Sequence, residues 1–477
     1  YDADGGGRVD LTPQATDEFA IEPELAISDD GRFAAVTRRT PGKDRVDDVS
    51  IVLFDLVAGT SRVLAAADGV QFGALRFSPD GRWLAAVRSL RSVKGVREIL
   101  SLIDVRTGAM RDLATAWDRW PAPQAWSADG RTLYVIADDQ GHTPVFAVDL
   151  ASDAVTRISS AAAGGAHGDL IRLADGRLAC IRSTLLDAPE CYLLAPQPDS
   201  APQPLARLSG FAPATWAEAE RFTVPSTDGV PVQSWIVKPR GAPGPLPTLL
   251  WIHGGPIGMS ADGWHWRWNP LLMVAAGYAV VQPNPRGSTG FGQKFIDGIW
   301  GNAWGAQCFE DIMAVADALQ QRGDIDGRRM MAMGGSFGGY MTNWIGTQTD
   351  RFRCLITHAS ITGLSTFTGV TDHPGWWYLE MGGENPYANP EAFDRYSPWR
   401  HVSRWKTPTL IIHGELDYRC PIGEGLMLFE ALQYHGVPSE LLVFPDENHW
   451  ILKPRNIVAW YTHVLRFLGE HMDPASC

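Results

Sequence analysis

The chain has 477 residues, 45% hydrophobic and 20% charged, with 41 Lys+Arg against 54 Asp+Glu and a formal net charge of −13. That is a globular composition with ample apolar material for a core, and a length for two or three ordinary domains. The acidic balance and the lack of a Lys/Arg block argue against nucleic acid or an anionic membrane as partner, and the longest strongly apolar stretch, Leu271 to Val281, falls short of the roughly 20 residues a membrane helix needs.

The chain opens on Tyr1, and no charged-then-apolar leader pattern follows it. Four segments then repeat one pattern: Ser28-Asp29-Asp30-Gly31-Arg32, Ser78-Pro79-Asp80-Gly81-Arg82, Ser127-Ala128-Asp129-Gly130-Arg131 and Ala174-Asp175-Gly176-Arg177, with glycines 50, 49 and 46 residues apart. Short apolar runs follow each: Phe33 to Val36, Trp83 to Val87, Leu133 to Ile136 and Leu178 to Ile181. Asp-Gly marks a tight turn, because Gly accepts positive φ and Asp bonds back to the backbone. Each Asp-Gly-Arg is therefore read as a turn rather than as an ion site. Further strands are expected at Ser50–Leu56, Ile99–Val105 and Val145–Leu150. A period near 50 with several short strands per unit reads as β-propeller blades, about four in residues 1–215. The run from Tyr1 to Thr12 resembles the closing hairpin of an earlier, partial blade. A propeller closes to lose its edges, so the chain is expected to begin mid-ring, with blades upstream; a complete four-bladed ring is the alternative, which would leave the first hairpin unexplained.

From Trp216 the texture changes, and residues 216–477 read as a second domain. Apolar strands are expected at Thr248–His253, Tyr278–Val281, Met330–Met333, Cys354–Thr357, Thr409–His413 and Leu441–Phe444. Phe309, Ile312, Met313, Ala316 and Leu319 recur at helical spacing, and helices are expected also at 339–348, 423–435 and 455–469. Strands alternating with helices imply a mostly parallel sheet covered on both faces. The six Cys form no C-x-x-C, so neither a zinc ribbon nor a dithiol redox site is written here; Cys180 and Cys191 could bridge a hairpin or remain thiols.

The chemistry sits at strand ends of this second half. Gly334-Gly335-Ser336-Phe337-Gly338 follows an expected strand and precedes an expected helix, the context of a nucleophile elbow. Such a turn lifts the Ser336 hydroxyl out of the sheet and offers the Phe337 N–H to a carbonyl oxygen. A serine needs a base and an orienting acid, in the chain order Ser, acid, His. Asp417 ends one strand region and His449 the next, and they are assigned to those roles; Glu415 and Asp446 compete for the acid. His413 reads as structural, and His142, His167, His373 and His401 have no catalytic context. A second oxyanion donor is expected from Trp251-Ile252-His253-Gly254-Gly255-Pro256.

With Asn284-Pro285-Arg286-Gly287-Ser288-Thr289-Gly290-Phe291-Gly292 and Asp446-Glu447-Asn448-His449, these motifs resemble the prolyl oligopeptidase family of serine peptidases, nearest its acylaminoacyl-peptidase and dipeptidyl-peptidase-V-like branch. The resemblance implies an incomplete β-propeller followed by an α/β-hydrolase domain. It implies a Ser336, His449 and Asp417 triad, and an oxyanion hole from the Gly255 and Phe337 amides. His253 stands where some members place an oxyanion-binding Tyr, so the Gly255 backbone carries more of that work. Arg419 matches an arginine that anchors a substrate carbonyl. Cys420 and Ile361 fall where the family lines its S1 pocket, and Trp376, Trp377 and Tyr378 either add aromatic walls or pack beneath the propeller. Residues 1–215 hold no double-Glu run of the kind some members use to grip a free N-terminus.

The expected function is hydrolysis of short peptides, as an exopeptidase releasing dipeptides or N-acylated amino acids through an acyl-enzyme. An esterase or lipase on the same fold, and a catalytically silent scaffold, are the alternatives. No metal or organic cofactor is implied. Short peptides are the expected partners, and a homo-oligomer is compatible with the sequence. The compartment is left open between cytoplasm, periplasm and exterior.

Overall fold

The computed structural model describes residues 23–472 except Asp44, with positions 7, 10–13 and 19 ahead of them. Most of the expected Tyr1–Thr12 hairpin lies outside the described residues.

Up to residue 206 the fold is four antiparallel four-stranded units. The first runs Leu25–Ile27, Phe33–Thr40, Asp48–Asp55, Thr60–Ala65, and the second Val70–Phe77, Trp83–Ser92, Gly95–Asp104, Met110–Asp112; one parallel bridge, Val49 to Gln71, joins them. The third runs Pro121–Trp126, Thr132–Ala137, Val145–Asp149, Val155–Arg157, and the fourth Ala166–Arg172, Leu178–Ser183, Glu190–Leu194, Gln203–Ala206. Each Asp-Gly-Arg joins a unit's first two strands, and in three units the hydrogen bonds repeat almost atom for atom. The Ser28, Ser78 and Ser127 hydroxyls each donate to the Asp two residues on at 2.6 Å, and each accepts at 2.9 Å from the N–H that opens the next strand. Those aspartates are held below the usual carboxylate range by these donors, which are structural.

Successive units pack face to face, because alternate residues of a strand point to opposite faces. Leu84 and Ala86 join a cluster with Ile51 and Leu53 of the first unit, while Ala85 between them joins Leu133 and Val148 of the third. Tyr134 in turn packs with Leu178 and Leu194 of the fourth. Cys180 and Cys191 ride on neighbouring strands one residue out of register and are free thiols.

The second half is one eight-stranded sheet. Its strands are β1 (Ala217–Pro225), β2 (Pro231–Pro239), β3 (Leu246–Ile252), β4 (Ala279–Asn284), β5 (Ile325–Gly335), β6 (Leu355–His358), β7 (Thr409–Gly414) and β8 (Ser439–Phe444), in spatial order 1-2-4-3-5-6-7-8. From β4 to β8 the pairing is parallel, and β1 and β2 are antiparallel. The six expected strands are all present. The β1–β2 hairpin was not expected, because β1 has no apolar run: Glu218 and Glu220 face Lys238, and Glu220 also pairs with Arg322. The main helices are α1 (Phe309–Leu319), α2 (Phe337–Gln348), α3 (Gly423–Tyr434) and α4 (Pro454–Met472). Both faces are covered. Leu250, Ile252 and Ala332 pack into one core with α1 and α2, and their neighbours Leu249, Trp251 and Met331 into the other with α4. The carboxyl ends of β3, β5, β7 and β8 therefore emerge together, where ligands bind in open parallel sheets.

Candidate active site

Ser336 follows β5 and caps α2 with φ 59° and ψ −123°, a conformation L residues rarely adopt. Such strain costs of order 1–3 kcal/mol and persists only where neighbours enforce it. Here the Ser336 N–H donates to the His358 carbonyl at 3.0 Å, and its own carbonyl accepts from Tyr340 at 2.9 Å. The turn admits no side chain on either flank. A Cβ on Gly334 would lie 2.4 Å from the Gly338 oxygen, and one on Gly338 would lie 2.2 Å from the Ile252 oxygen. Between positions 330 and 347, Ser336 is the one residue not fully buried. Phe337 opens α2, so its N–H is among the amides a helix leaves without an internal partner.

Asp417 and His449 meet. The His449 Nδ1–H donates to Asp417 Oδ2 at 2.8 Å, while Asp417 Oδ1 accepts from the backbone N–H of Arg419 (3.0 Å) and Cys420 (2.9 Å). Asp417 is 2% exposed, and its two oxygens thus divide the work. Nε2 is left as the ring nitrogen free to take a proton. The loops that carry the pair are tied together: the Leu416 N–H donates to the Glu447 carbonyl at 2.9 Å. Of the competing carboxylates, Glu415 is exposed, and Asp446 faces Lys453 (2.5 Å) and Asn456. Buried Glu447 holds the His449 loop by accepting from the N–H groups of Leu452 and Lys453.

His413 is buried beneath them; burial pushes its pKa down, and its Nε2–H donates to the Cys420 carbonyl at 2.6 Å. It is a support. Burial is the larger influence on the Cys420 thiol and pushes it well above the usual thiol range, although a side-chain hydrogen bond with Ser336 draws it down, so it stays neutral. Ile361 is buried too. Its carbonyl accepts from Asn343 Nδ2, and the next two backbone amides donate to Glu424 at 2.8 Å.

The His253 ring sits between the Gly254 carbonyl (2.7 Å, from Nδ1) and the Ser288 hydroxyl (3.0 Å, from Nε2). It braces the glycine loop against Ser288, part of the Asn284–Gly292 motif. Gly254 presses on the elbow, where a Cβ would lie 3.3 Å from that of Ser336. Arg419 is half-exposed and pairs with Asp372 at 2.7 Å. Trp377 is core, edge-on to Trp304 and packed on Phe367. Trp376 and Tyr378 are half-buried, and Trp376 and Trp304 both donate indole N–H groups to buried Glu380.

Ser336, His253, Gly254 and Gly255 line one cleft of about 560 Å³, whose further walls are Arg267, Trp268, Trp450 and Trp264. The N-terminal units supply Ala166, Ser183 and Leu185. They are stitched to the loop after β3: Asp262 accepts from Gly165 (3.0 Å) and Leu185 (2.9 Å), and the Trp264 N–H donates to Ser183 Oγ (3.1 Å). This aromatic wall was not read from the sequence, although the run Trp264-His265-Trp266-Arg267-Trp268 is its signal.

Residues 264–475 match the model of the prolyl oligopeptidase family. This region belongs to that family. The chain is 30% identical over 485 residues to a dipeptidyl-peptidase 5 of Arthroderma benhamiae, across 95% of this chain and 65% of the relative. The chain thus spans less than two thirds of the length of that relative. Among solved structures, an acylaminoacyl peptidase of Pyrococcus horikoshii superposes with a TM-score of 0.70 at 21% identity, over 94% of this chain and 88% of its own. A puromycin-hydrolyzing peptidase of Mycobacterium tuberculosis gives 0.72 at 20% identity, over 94% and 70%. Those two likenesses speak to fold.

Proposed function

We propose that the chain is a serine peptidase that cleaves short peptides, releasing dipeptides or N-acylated amino acids from the N-terminal end. The observation that carries this reading is the Asp417–His449 hydrogen bond, together with a strained Ser336 that stays accessible in an otherwise buried turn. In the mechanism, Ser336 Oγ attacks the scissile carbonyl while His449 Nε2 takes its proton. The tetrahedral oxyanion is held by the Gly255 and Phe337 amides, each such donor being worth about 2.7–4 kcal/mol. The C–N bond breaks as His449 returns the proton to the leaving amine, and water then repeats the sequence on the acyl-enzyme. Ile361 and Cys420 would wall the P1 side chain. Arg419 would reach a substrate carbonyl with the N–H groups that Asp372 does not occupy.

The first 215 residues would form blades of a β-propeller that caps residues 216–477 and admits only short chains. Four stacked four-stranded units with repeated turns support this reading.

The test is release of p-nitroaniline from aminoacyl, dipeptidyl and N-acylaminoacyl p-nitroanilides, with Ser336→Ala as control. Turnover of one of the last two classes, lost in Ser336→Ala with folding retained, is expected. Rapid ester hydrolysis with no amide cleaved would overturn the peptidase reading.

A further inference from the structure

Arg267 is 7% exposed, yet no acid among the described residues answers it. Its guanidinium carbon lies against two indoles tilted 52° to one another, 3.9 Å from the Trp268 ring and 4.0 Å from that of Trp450. The backbone on either side is fixed: its N–H donates to His265 Nδ1 (3.2 Å) and its carbonyl accepts from the Tyr461 hydroxyl (2.7 Å). The Nε and Nη1 atoms are buried and hydrogen-bond to no described residue. Burial pushes its pKa down to about 10, so it remains a cation at neutral pH. A buried charge without a partner is unfavourable, and flanking rings offset only part of the cost. A fold that keeps such a group beside a nucleophile has left its partner to come from outside.

The partner's charge follows from the walls. The described residues lining the cleft include Arg267 and no Asp or Glu. His265 is stacked on Trp268, and burial pushes its pKa down to about 4, so it is neutral. The cleft therefore carries one positive charge, on a guanidinium whose Nη2 is the one nitrogen not among its buried, unpartnered atoms, and a charged N–H of this kind answers a carboxylate.

Its position gives the side of the substrate. Trp450 is both a wall of the cleft and the neighbour of His449, the two rings lying 5.1 Å apart. The base that protonates a leaving amine stands on the leaving-group side of the scissile bond. Ile361 and Cys420 do not line this cleft.

We propose that Arg267, held between Trp268 and Trp450, binds the C-terminal carboxylate of the leaving fragment, so that the favoured substrates are short peptides ending one or two residues past the scissile bond. This rests on the peptidase reading above. Longer chains would place their carboxylate beyond a cleft of about 560 Å³.

The test compares Ala-Phe-Ala-Ala and N-acetyl-Phe-Ala-Ala with their C-terminal amides. The acids are expected to show a KM about tenfold or more below the amides, the scale of a charge-assisted hydrogen bond. That ratio should collapse in Arg267→Met and survive in part in Arg267→Lys. Equal KM values for acid and amide in the unaltered enzyme would overturn the subsite. A preference for acidic residues on the acyl side would do the same. Calorimetric binding of Ala-Ala and its amide to Ser336→Ala reads the subsite without turnover: tighter binding of the acid supports it, and equal binding overturns it. Hydrolysis of p-nitroanilides, whose leaving group has no carboxylate, reports the peptidase reading separately.

Discussion

Arg286 and Arg267 lie in the same sheet domain, both buried, and their surroundings are opposite. Arg286, from the loop after β4, donates to both oxygens of fully buried Asp311 (2.6–3.2 Å), to Asp228 (2.5 Å) and to Ser226 (3.2 Å). One guanidinium thus clamps the β4 loop, α1 and the β1–β2 turn. Arg267 has two indole faces and, among the described residues, no acid. Where the fold uses a buried charge to hold elements together, it supplies the counter-charge; in the cleft that Ser336 lines it does not. Asp417 belongs with the first kind, since three donors fix it, but its third donor is the ring that would do chemistry.

The largest expected effect comes from exploiting that divided role. In Asp417→Asn the amide oxygen can still accept from the Arg419 and Cys420 amides, so the loop survives. The amide nitrogen then faces His449 Nδ1 as a donor and drives the ring proton to Nε2, where it blocks proton transfer from Ser336. A loss of about 10⁴-fold in kcat is expected with little change in melting temperature. A comparable kcat in the variant would remove Asp417 from the mechanism.

Arg286→Met attacks the other kind of charge. It leaves Asp311 buried with the Ser226 hydroxyl and the backbone N–H of residue 286 but no counter-charge, and stranding one member of a buried pair costs about 3–5 kcal/mol. At roughly 2–4 °C per kcal/mol for a domain of this size, the melting temperature should fall by about 10 °C. Replacing Asp311 as well, by Leu, should recover part of that loss. An unchanged melting temperature in Arg286→Met would erase the contrast between the two arginines.

The sequence made one side of this contrast legible. Periodicity located the parallel strands and four main helices, because buried strands are apolar runs and covering helices are amphipathic. The turn chemistry of Asp-Gly-Arg was also readable, since Ser, Asp and Gly act within five residues of one another. Ser336, Asp417 and His449 stood out because each ends a strand in a distinctive local motif. What stayed hidden depends on long-range partners. Whether a buried arginine meets an aspartate 25 residues on, as Arg286 does, or an indole 183 residues on, as Arg267 does, is decided by packing. The β1 strand was missed for a related reason: its charges are paired across the sheet rather than along the chain.

Glu380 is the intermediate case, a buried carboxylate answered among the described residues by the neutral Trp304 and Trp376 indoles. Desolvation is the larger influence and pushes its pKa up to about 8 despite both donors. The folded state therefore holds a proton that the unfolded chain releases near the ordinary glutamate value. The unfolded state binds fewer protons between these two values, so this residue's contribution to stability is full below the lower one and is lost as pH rises toward 8. The slope approaches about 1.4 kcal/mol per pH unit in that window. Unfolding curves at pH 6 and pH 8 should show it, and a Glu380→Gln variant should not. Identical slopes in the two proteins would mean Glu380 is ionised throughout.

The smallest expected effect is the most telling for the comparison. Arg267→Leu at neutral pH removes a cation whose folded-state pKa is depressed, so the destabilising cost of burying it disappears. Against that stand two lost cation–π contacts, each worth about 0.5–2 kcal/mol, and the packing of the aliphatic stem. The opposing contributions nearly cancel, and the melting temperature should move by no more than a few degrees, in either direction. A fall as large as that of Arg286→Met would mean that Arg267 holds the aromatic wall together as Arg286 holds its loops, and the cleft's single charge would then need no ligand to explain it.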